Sequence, residues 1–351
     1  MATFNKLDVL SRVSPQMRAV LDQADPDAYD TNATLPELRA AYIAERSFWN
    51  EGGPVMADTI TDSIPTSHGA VKIRLHQPQG NGNGQPRPLL AYLHGGGYVL
   101  GNLDTHDRIM RILAAESGAC VAGIDYALSP EAKFPVALEQ CAEVVSQLHQ
   151  HAADYGIDPN GFALAGDSGG AQLALATLLY LRDHSDASHI KALLLYYGLF
   201  GLRDSVSRRL LGGSWDGLTE ADLDYYQDCY LASPADSRSP YVDCLSADLG
   251  HGIPPAYIAA AELDPLRDDS AALALMLANH GTPYRLEVFE GVIHAFLHNS
   301  RMLDTAWEAL RHGAAFLRDA LSGSGHYDVP GSEAGQSSGD LDSWWTPQNQ
   351  D

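Results

Sequence analysis

Gly161-Phe162-Ala163-Leu164-Ala165-Gly166-Asp167-Ser168-Gly169-Gly170, followed by AQLALATLLYLR up to Arg182, is the stretch that decides how this chain folds. Phe162 to Ala165 is a short apolar run, as expected of a strand buried on both faces. After Gly-Asp-Ser-Gly comes a long run rich in the good helix formers Ala and Leu. The stretch therefore reads as strand, sharp turn, helix. A serine in a G-x-S-x-G turn of that kind is a nucleophile elbow. The turn pushes Ser168 Oγ out at the top of a sheet and places it at the positive end of the helix. It also aims the Gly169 amide at a developing oxyanion. Alone the motif is weak. With 32 Gly in 351 residues, roughly one such chain in five carries it by chance. A Gly-rich strand-helix turn or a phosphate cradle at the helix N-terminus fits as well.

The rest of the chain decides between them. His94-Gly95-Gly96-Gly97-Tyr98 follows the apolar run LLAYL (89–93) directly. Acyl transfer passes through a tetrahedral oxyanion that needs two or three amide donors at about 3 Å. An HGGG-type loop supplies them, and glycine lets backbone approach a substrate closely. His94 reads as a residue that orients this loop and not as a proton carrier. Ser168 needs a general base, and the base needs an orienting carboxylate. Where such an elbow is used, the chain order is Ser, then Asp or Glu, then His. After the strand PAYIAAAEL (255–263) comes Asp264-Pro265-Leu266-Arg267-Asp268, and Asp264 is the first residue out of the strand. Asp268 and Asp269 read as N-terminal helix charges. After YRLEVFE (284–290), Gly291-Val292-Ile293-His294 puts His294 in a loop at the required edge. His298 is the one rival. His294 and His298 also form an H-x-x-x-H pair, but with no Glu between them and no third ligand it does not read as a zinc site. No metal or organic cofactor is expected.

Composition excludes other classes. The chain has 22 Lys+Arg against 45 Asp+Glu, a net charge of −23. Such a surface repels phosphate backbones and anionic lipid, so neither nucleic acid nor membrane is an expected partner. Cys120, Cys141, Cys229 and Cys244 form no C-x-x-C and read as buried free thiols. The N-terminus lacks a continuous apolar core, and no run of about 18 apolar residues occurs. A soluble cytoplasmic protein is the expectation, in which the sequon Asn32-Ala33-Thr34 has no meaning.

Strands alternate with helices along most of the chain. Strands are expected within 58–76 and at 89–93, 120–125, 162–165, 191–197, 255–263 and 284–290. Helices are expected at about 105–117, from Pro135 to about 151, after Ser168, and at about 268–280 and 301–320. This is the pattern of an α/β fold, a mostly parallel sheet flanked by helices, with antiparallel strands at one edge. Residues 1–50 carry two short helices, opened by Ser14-Pro15 and Leu35-Pro36, which suit a lid or a dimer surface better than a core. Residues 77–88 are an exposed Gly/Asn/Pro loop. The stretch at about 200–250 breaks the alternation. It holds a capped helix from Thr219-Glu-Ala-Asp222 and several aromatics, and reads as half of a helical cap, with residues 1–50 as the other half. The core then spans 51–320. Residues 321–351, rich in Gly and Ser and lacking Lys and Arg, read as a flexible tail carrying Trp344-Trp345.

HGGGY, GDSGG, the DPLRD and GVIHAF runs and Ile124-Asp-Tyr-Ala-Leu-Ser-Pro-Glu131 together resemble the hormone-sensitive-lipase-like branch of α/β-hydrolase esterases. RSFWNEGGPVMA (46–57), GNLDTHDRIMR (101–111) and LRDSVSRRLLGGSWDGLT (202–219) further resemble the enterobacterial acetyl esterases, over about residues 4–320. The resemblance implies a cap-covered serine hydrolase of short-acyl, acetyl-type esters. It makes Ser168 the nucleophile, Asp264 the orienting acid and His294 the base. Its oxyanion hole draws on Gly95, Gly96, Gly97 and Gly169, with Gly95 shaping the turn and the other three donating amides. Asp167 and Glu131 are supporting motif residues. Regulatory protein partners are implied by resemblance only, and a homodimer is possible from the sequence. Two alternatives stand beside the esterase: an amidase or formamidase sharing the triad, and a regulatory or binding protein on the same scaffold. One departure stands out. The branch usually has Ala where this chain has Gly169, and from sequence Gly169→Ala should leave activity equal or better.

Overall fold

The computed structural model describes residues 6–23, 33–80, 85–325 and 327. Asn32 of the sequon, part of the Gly/Asn loop, and nearly all of the tail with Trp344-Trp345 lie outside the described residues. The strands are β1 Asp58–Thr66, β2 Gly69–Gln77, β3 Arg87–Leu93, β4 Cys120–Asp125, β5 Ile157–Asp167, β6 Ile190–Tyr196, β7 Ala256–Ala261 and β8 Tyr284–Phe289. They form one sheet in the order β1-β2-β4-β3-β5-β6-β7-β8. β1 and β2 are antiparallel to each other, and β2 is antiparallel to β4; all later pairs are parallel. The expected antiparallel edge is therefore present.

The helices are α1 Pro15–Gln23, α2 Leu35–Asn50, α3 Asp107–Ser117, α4 Val136–Gln150, α5 Gly169–His184, α6 Val206–Leu210, α7 Glu220–Tyr230, α8 Arg267–His280 and α9 Asp304–Ser322. Side chains alternate across each strand, so one apolar run serves two cores. In β3, Leu89, Ala91 and Leu93 join Leu164, Leu173, Leu193 and Ile258 on one face. Leu90 and Tyr92 join Ala163, Leu194, Tyr257 and Leu310 on the other. This double burial is why the central strands carry no polar alternation.

Several boundaries move. β5 begins at Ile157, five residues before the apolar run, because its first turns pair with β3 only at Arg87. α9 begins at Asp304, after a short 3-10 turn at Phe296–Asn299. It runs to Ser322, so the first two residues assigned to the tail are helix. The first fifty residues do supply core: Val9, Met17, Val20 and Trp49 are buried in the second cluster. Their anchors are distant in sequence, for example Ser14 N donating to Gly291 O at 2.8 Å, and no local pattern reveals them.

Candidate active site

In-register pairing brings the carboxyl ends of the parallel strands to one edge. Leu93 of β3 lies beside Gly166 of β5, and Asp167 beside Tyr196 of β6. The loops leaving these ends build the site. The elbow is tight: a Cβ on Gly166 would lie 2.2 Å from Gly170 O, and one on Gly170 would lie 2.1 Å from Leu93 O. Only glycine fits at both positions. Ser168 is held at φ 54°, and its amide donates to Tyr196 O at 2.9 Å. The non-glycine residues at positive φ among the described residues are Tyr98, Ser168, Tyr197 and Ala295. They follow the glycine loop, β5, β6 and His294 in turn, so the strained backbone collects at this edge.

Three sequence-expected residues meet there. His294 Nε2 lies 2.8 Å from Ser168 Oγ, and His294 Nδ1 lies 2.7 Å from Asp264 Oδ2. Asp264 is fully buried, and its other oxygen accepts the Leu266 amide at 2.7 Å. Burial pushes the His294 ring toward neutrality, but the Asp264 carboxylate more than offsets this and holds its pKa above the ordinary imidazole value. His298 is not in this chain of bonds; its Nε2 lies 3.9 Å from Asp167 Oδ2.

The glycine loop divides its amides. The Gly95 amide donates to Oδ1 of the buried Asp167 side chain at 2.9 Å. The amides of Gly96 and Gly97 make no hydrogen bond among the described residues. Gly169 opens α5, where the first amides have no preceding turn to bond. His94 is buried, with Nδ1 2.9 Å from Gly95 O and its ring stacked on Tyr126 at 4.4 Å. Burial, helped by His106, drives its pKa down to about 3, so it stays neutral.

Both segments expected above the edge touch the glycine loop. A Cβ on Gly97 would lie 2.5 Å from Tyr226 Cδ1, so that ring of α7 packs on the loop itself. Tyr230 stacks on Tyr98 at 3.8 Å. Lys133 Nζ closes the end of α7 by donating to the carbonyls of Asp228, Cys229 and Leu231. From α2, Arg39 donates to Val99 O, Ser129 O and both oxygens of Glu131.

Sequence reading missed what anchors the insertion. Asp269 is fully buried, and its Oδ1 accepts the amides of Phe200, Gly201 and Leu202 at 2.9–3.1 Å. Arg208 pairs with its other oxygen, and Asp268 Oδ2 accepts the Ser207 amide. Both acids do sit in the first turn of α8. Their partners are about sixty residues upstream, so only the tertiary fold exposes the role. His106, Asp167 and His298 bring ligand-type atoms within 4.8 Å of one another, but Asp167 Oδ1 is already engaged by Tyr92 and Gly95.

The model of the alpha/beta hydrolase fold matches residues 90–298, the interval from β3 to the His294 loop. The chain belongs to this family. Among solved structures, the hydrolase is similar to a hyperthermophilic esterase from the archaeon Pyrobaculum calidifontis. The identity is 31% over 88% of this chain and 99% of that one, with a TM-score of 0.81. It is also similar to EstE1, a thermostable carboxylesterase cloned from a metagenomic library: 30% identity, 84% and 99% covered, TM-score 0.79. An ester-hydrolase from the metagenome of Lake Arreo, solved with a phosphonate derivative, shares 27% identity over 88% and 99%, with a TM-score of 0.81. No helix among the described residues is long and apolar enough to cross a membrane.

Proposed function

We propose that this hydrolase is a serine carboxylic-ester hydrolase acting on short-acyl, acetyl-type esters. The unbroken hydrogen-bond chain Ser168–His294–Asp264 carries the reading. Ser168 Oγ attacks the ester carbonyl while His294 Nε2 takes its proton. Asp264 holds the ring in place and stabilises the imidazolium that forms. The oxyanion is met by the amides of Gly96, Gly97 and Gly169. His294 returns its proton to the alcohol as it leaves, and the acyl group stays on Ser168. Water, deprotonated by the same ring, then releases the acid. These steps use only side chains and backbone amides.

The short-acyl preference is supported by the Tyr226 ring seated on Gly97 and by Tyr230 stacked behind Tyr98. Residues 1–50 and about 200–250 serve as the two halves of the cap. Two measurements test the function. Ser168→Ala should lower hydrolysis of p-nitrophenyl acetate by about six orders of magnitude; near-normal turnover would remove Ser168 from the role. An acyl series from C2 to C12 should peak at the short end, and a maximum at long chains would refute the acetyl preference.

A further inference from the structure

Asp167 lies directly beneath the glycine loop, and its partners are specific. Oδ1 accepts from the Tyr92 hydroxyl at 2.7 Å and from the Gly95 amide at 2.9 Å. His106 Nε2 stands 3.3 Å from the same oxygen. Asp167 and His106 are both buried, His106 completely. A carboxylate taken out of water at this depth is tolerated only with a counter-charge or several donors.

The hydrogen bonds around His106 bear on whether it supplies such a counter-charge. Thr105 Oγ1 has one proton, which goes to Asn102 O at 2.8 Å, and it accepts the Asn102 amide at 2.9 Å. His106 Nδ1 lies 2.8 Å from this oxygen, so Nδ1 must be the donor. Nε2 stands 3.3 Å from the Gly95 amide, which can donate to it, and 3.3 Å from an Asp167 oxygen, which can only accept; a proton on Nε2 satisfies the carboxylate. A ring protonated at Nδ1 alone could still accept the Gly95 amide at 3.3 Å, but it would set its Nε2 lone pair against the Asp167 carboxylate at the same distance. The Gly95 amide is 3.3 Å from Nε2 but 2.9 Å from Asp167 Oδ1, the shorter and charged partner.

The neighbouring groups do not supply the charge. The rings of His94 and His298 stand 5.4 and 4.5 Å from His106, and burial keeps both neutral. Arg46 acts on His298 from α2, and Tyr92 is a neutral donor from β3. Asp167 itself stays ionised: burial opposes this, but His106 and the Tyr92 hydroxyl hold its pKa below the ordinary carboxylate range.

We propose that His106 is a positioning residue that donates from both ring nitrogens, to Thr105 Oγ1 and to Asp167, and so holds Asp167 as the ionised anchor of Gly95 and the oxyanion loop. Gly95 is bonded to Gly96, which leads to Gly97, and the proposed mechanism uses the amides of both for the oxyanion. Slack in its grip shifts both donors. The effect on rate rests on the esterase reading; the state of the ring does not.

Nitrogen-15 NMR of the full-length protein with labelled histidine tests the ring directly. The His106 signals are assigned by their loss in His106→Gln. Two protonated ring nitrogens with slowly exchanging protons are expected, and a singly protonated ring overturns the proposal. Kinetics test the consequence. His106→Gln restores a donor where Nε2 stood, whereas His106→Leu restores none. Since losing one oxyanion donor costs about 10²–10³-fold, kcat should fall about tenfold in the first and on the order of a hundredfold in the second. KM should stay within about twofold in both. Wild-type kcat in folded His106→Leu, or equal losses in the two variants, overturns the assignment. If neither variant folds, the wild-type spectrum, assigned through Thr105 and Asp167 contacts, still decides. Full ester hydrolysis by Ser168→Ala would sink the esterase reading and leave the ring result standing.

Discussion

In the proposed mechanism His294 is the base, and a ring can take a proton only when it is neutral. Its pKa is held above the ordinary value of 6.5 by Asp264. The sign follows: a raised pKa keeps the ring protonated to higher pH, so activity is lost as pH falls through a value above 6.5. A kcat/KM profile for p-nitrophenyl acetate should show an acid limb there and a plateau on the alkaline side. Asp264→Asn removes the carboxylate 2.7 Å from Nδ1. It should lower kcat by roughly four orders of magnitude, because the ring loses its fixed tautomer and its charge partner. Single-turnover acylation measured at the plateau pH checks this. At Gly169 a neighbouring ring argues against the expectation from sequence. An added Cβ would sit 3.3 Å from Tyr98 Cζ. That ring is stacked on Tyr230 and bonded to Gln172, so it cannot readily give. Gly169→Ala should therefore reduce kcat, by about fivefold if the misfit costs about 1 kcal/mol at the amide. Equal or better activity would show that the ring does yield.

At the scale of elements, Arg39 latches α2 to Val99, just past the glycine loop, and to Ser129 and Glu131. The ion pair of Arg39 with Glu131 is bidentate, but Glu131 is 61% exposed, so the pair itself contributes little. The bonds from Arg39 to Val99 O and Ser129 O matter more, because those carbonyls lose their partner when the guanidinium is removed. Arg39→Ala should cost about 1–2 kcal/mol and Glu131→Gln less than about 0.5 kcal/mol. Thermal or denaturant unfolding separates the two, and equal losses would mean that the pair is the latch. The insertion is held more deeply. Asp269 collects three amides and Arg208 at a fully buried oxygen pair. Asp269→Ala should destabilise by about 3–5 kcal/mol, since it strands three amides and the mostly buried Arg208 side chain. The helix-charge reading of Asp269 predicts a loss several-fold smaller.

Over the whole molecule, a net charge of −23 makes the folded chain repel itself. Screening shortens the reach of that repulsion to about 10 Å at 0.1 M salt. The melting temperature should therefore rise with added sodium chloride up to a few tenths molar; a steady fall would mean that attractive ion pairs outweigh the net repulsion. Much of the architecture was legible without coordinates. The apolar run before Ser168, the glycines at 166 and 170 and the alternating strands are local signals, and local sterics and two-sided burial enforce them. The meeting of Ser168, Asp264 and His294 was legible for the same reason: each residue leaves its own strand at the edge where parallel strands end. What the sequence by itself determined is thus the elbow at Ser168, the parallel α/β sheet, and Asp264 and His294 as its partners. Only the tertiary structure decided the grip of Asp167 and His106 on Gly95, the burial of Val9 and Met17, the anchoring of the insertion by Asp269, and the tight fit of Tyr98 at Gly169. Each of these joins residues far apart in the chain. Such contacts arise from packing complementarity, which leaves no periodic or compositional trace along the sequence.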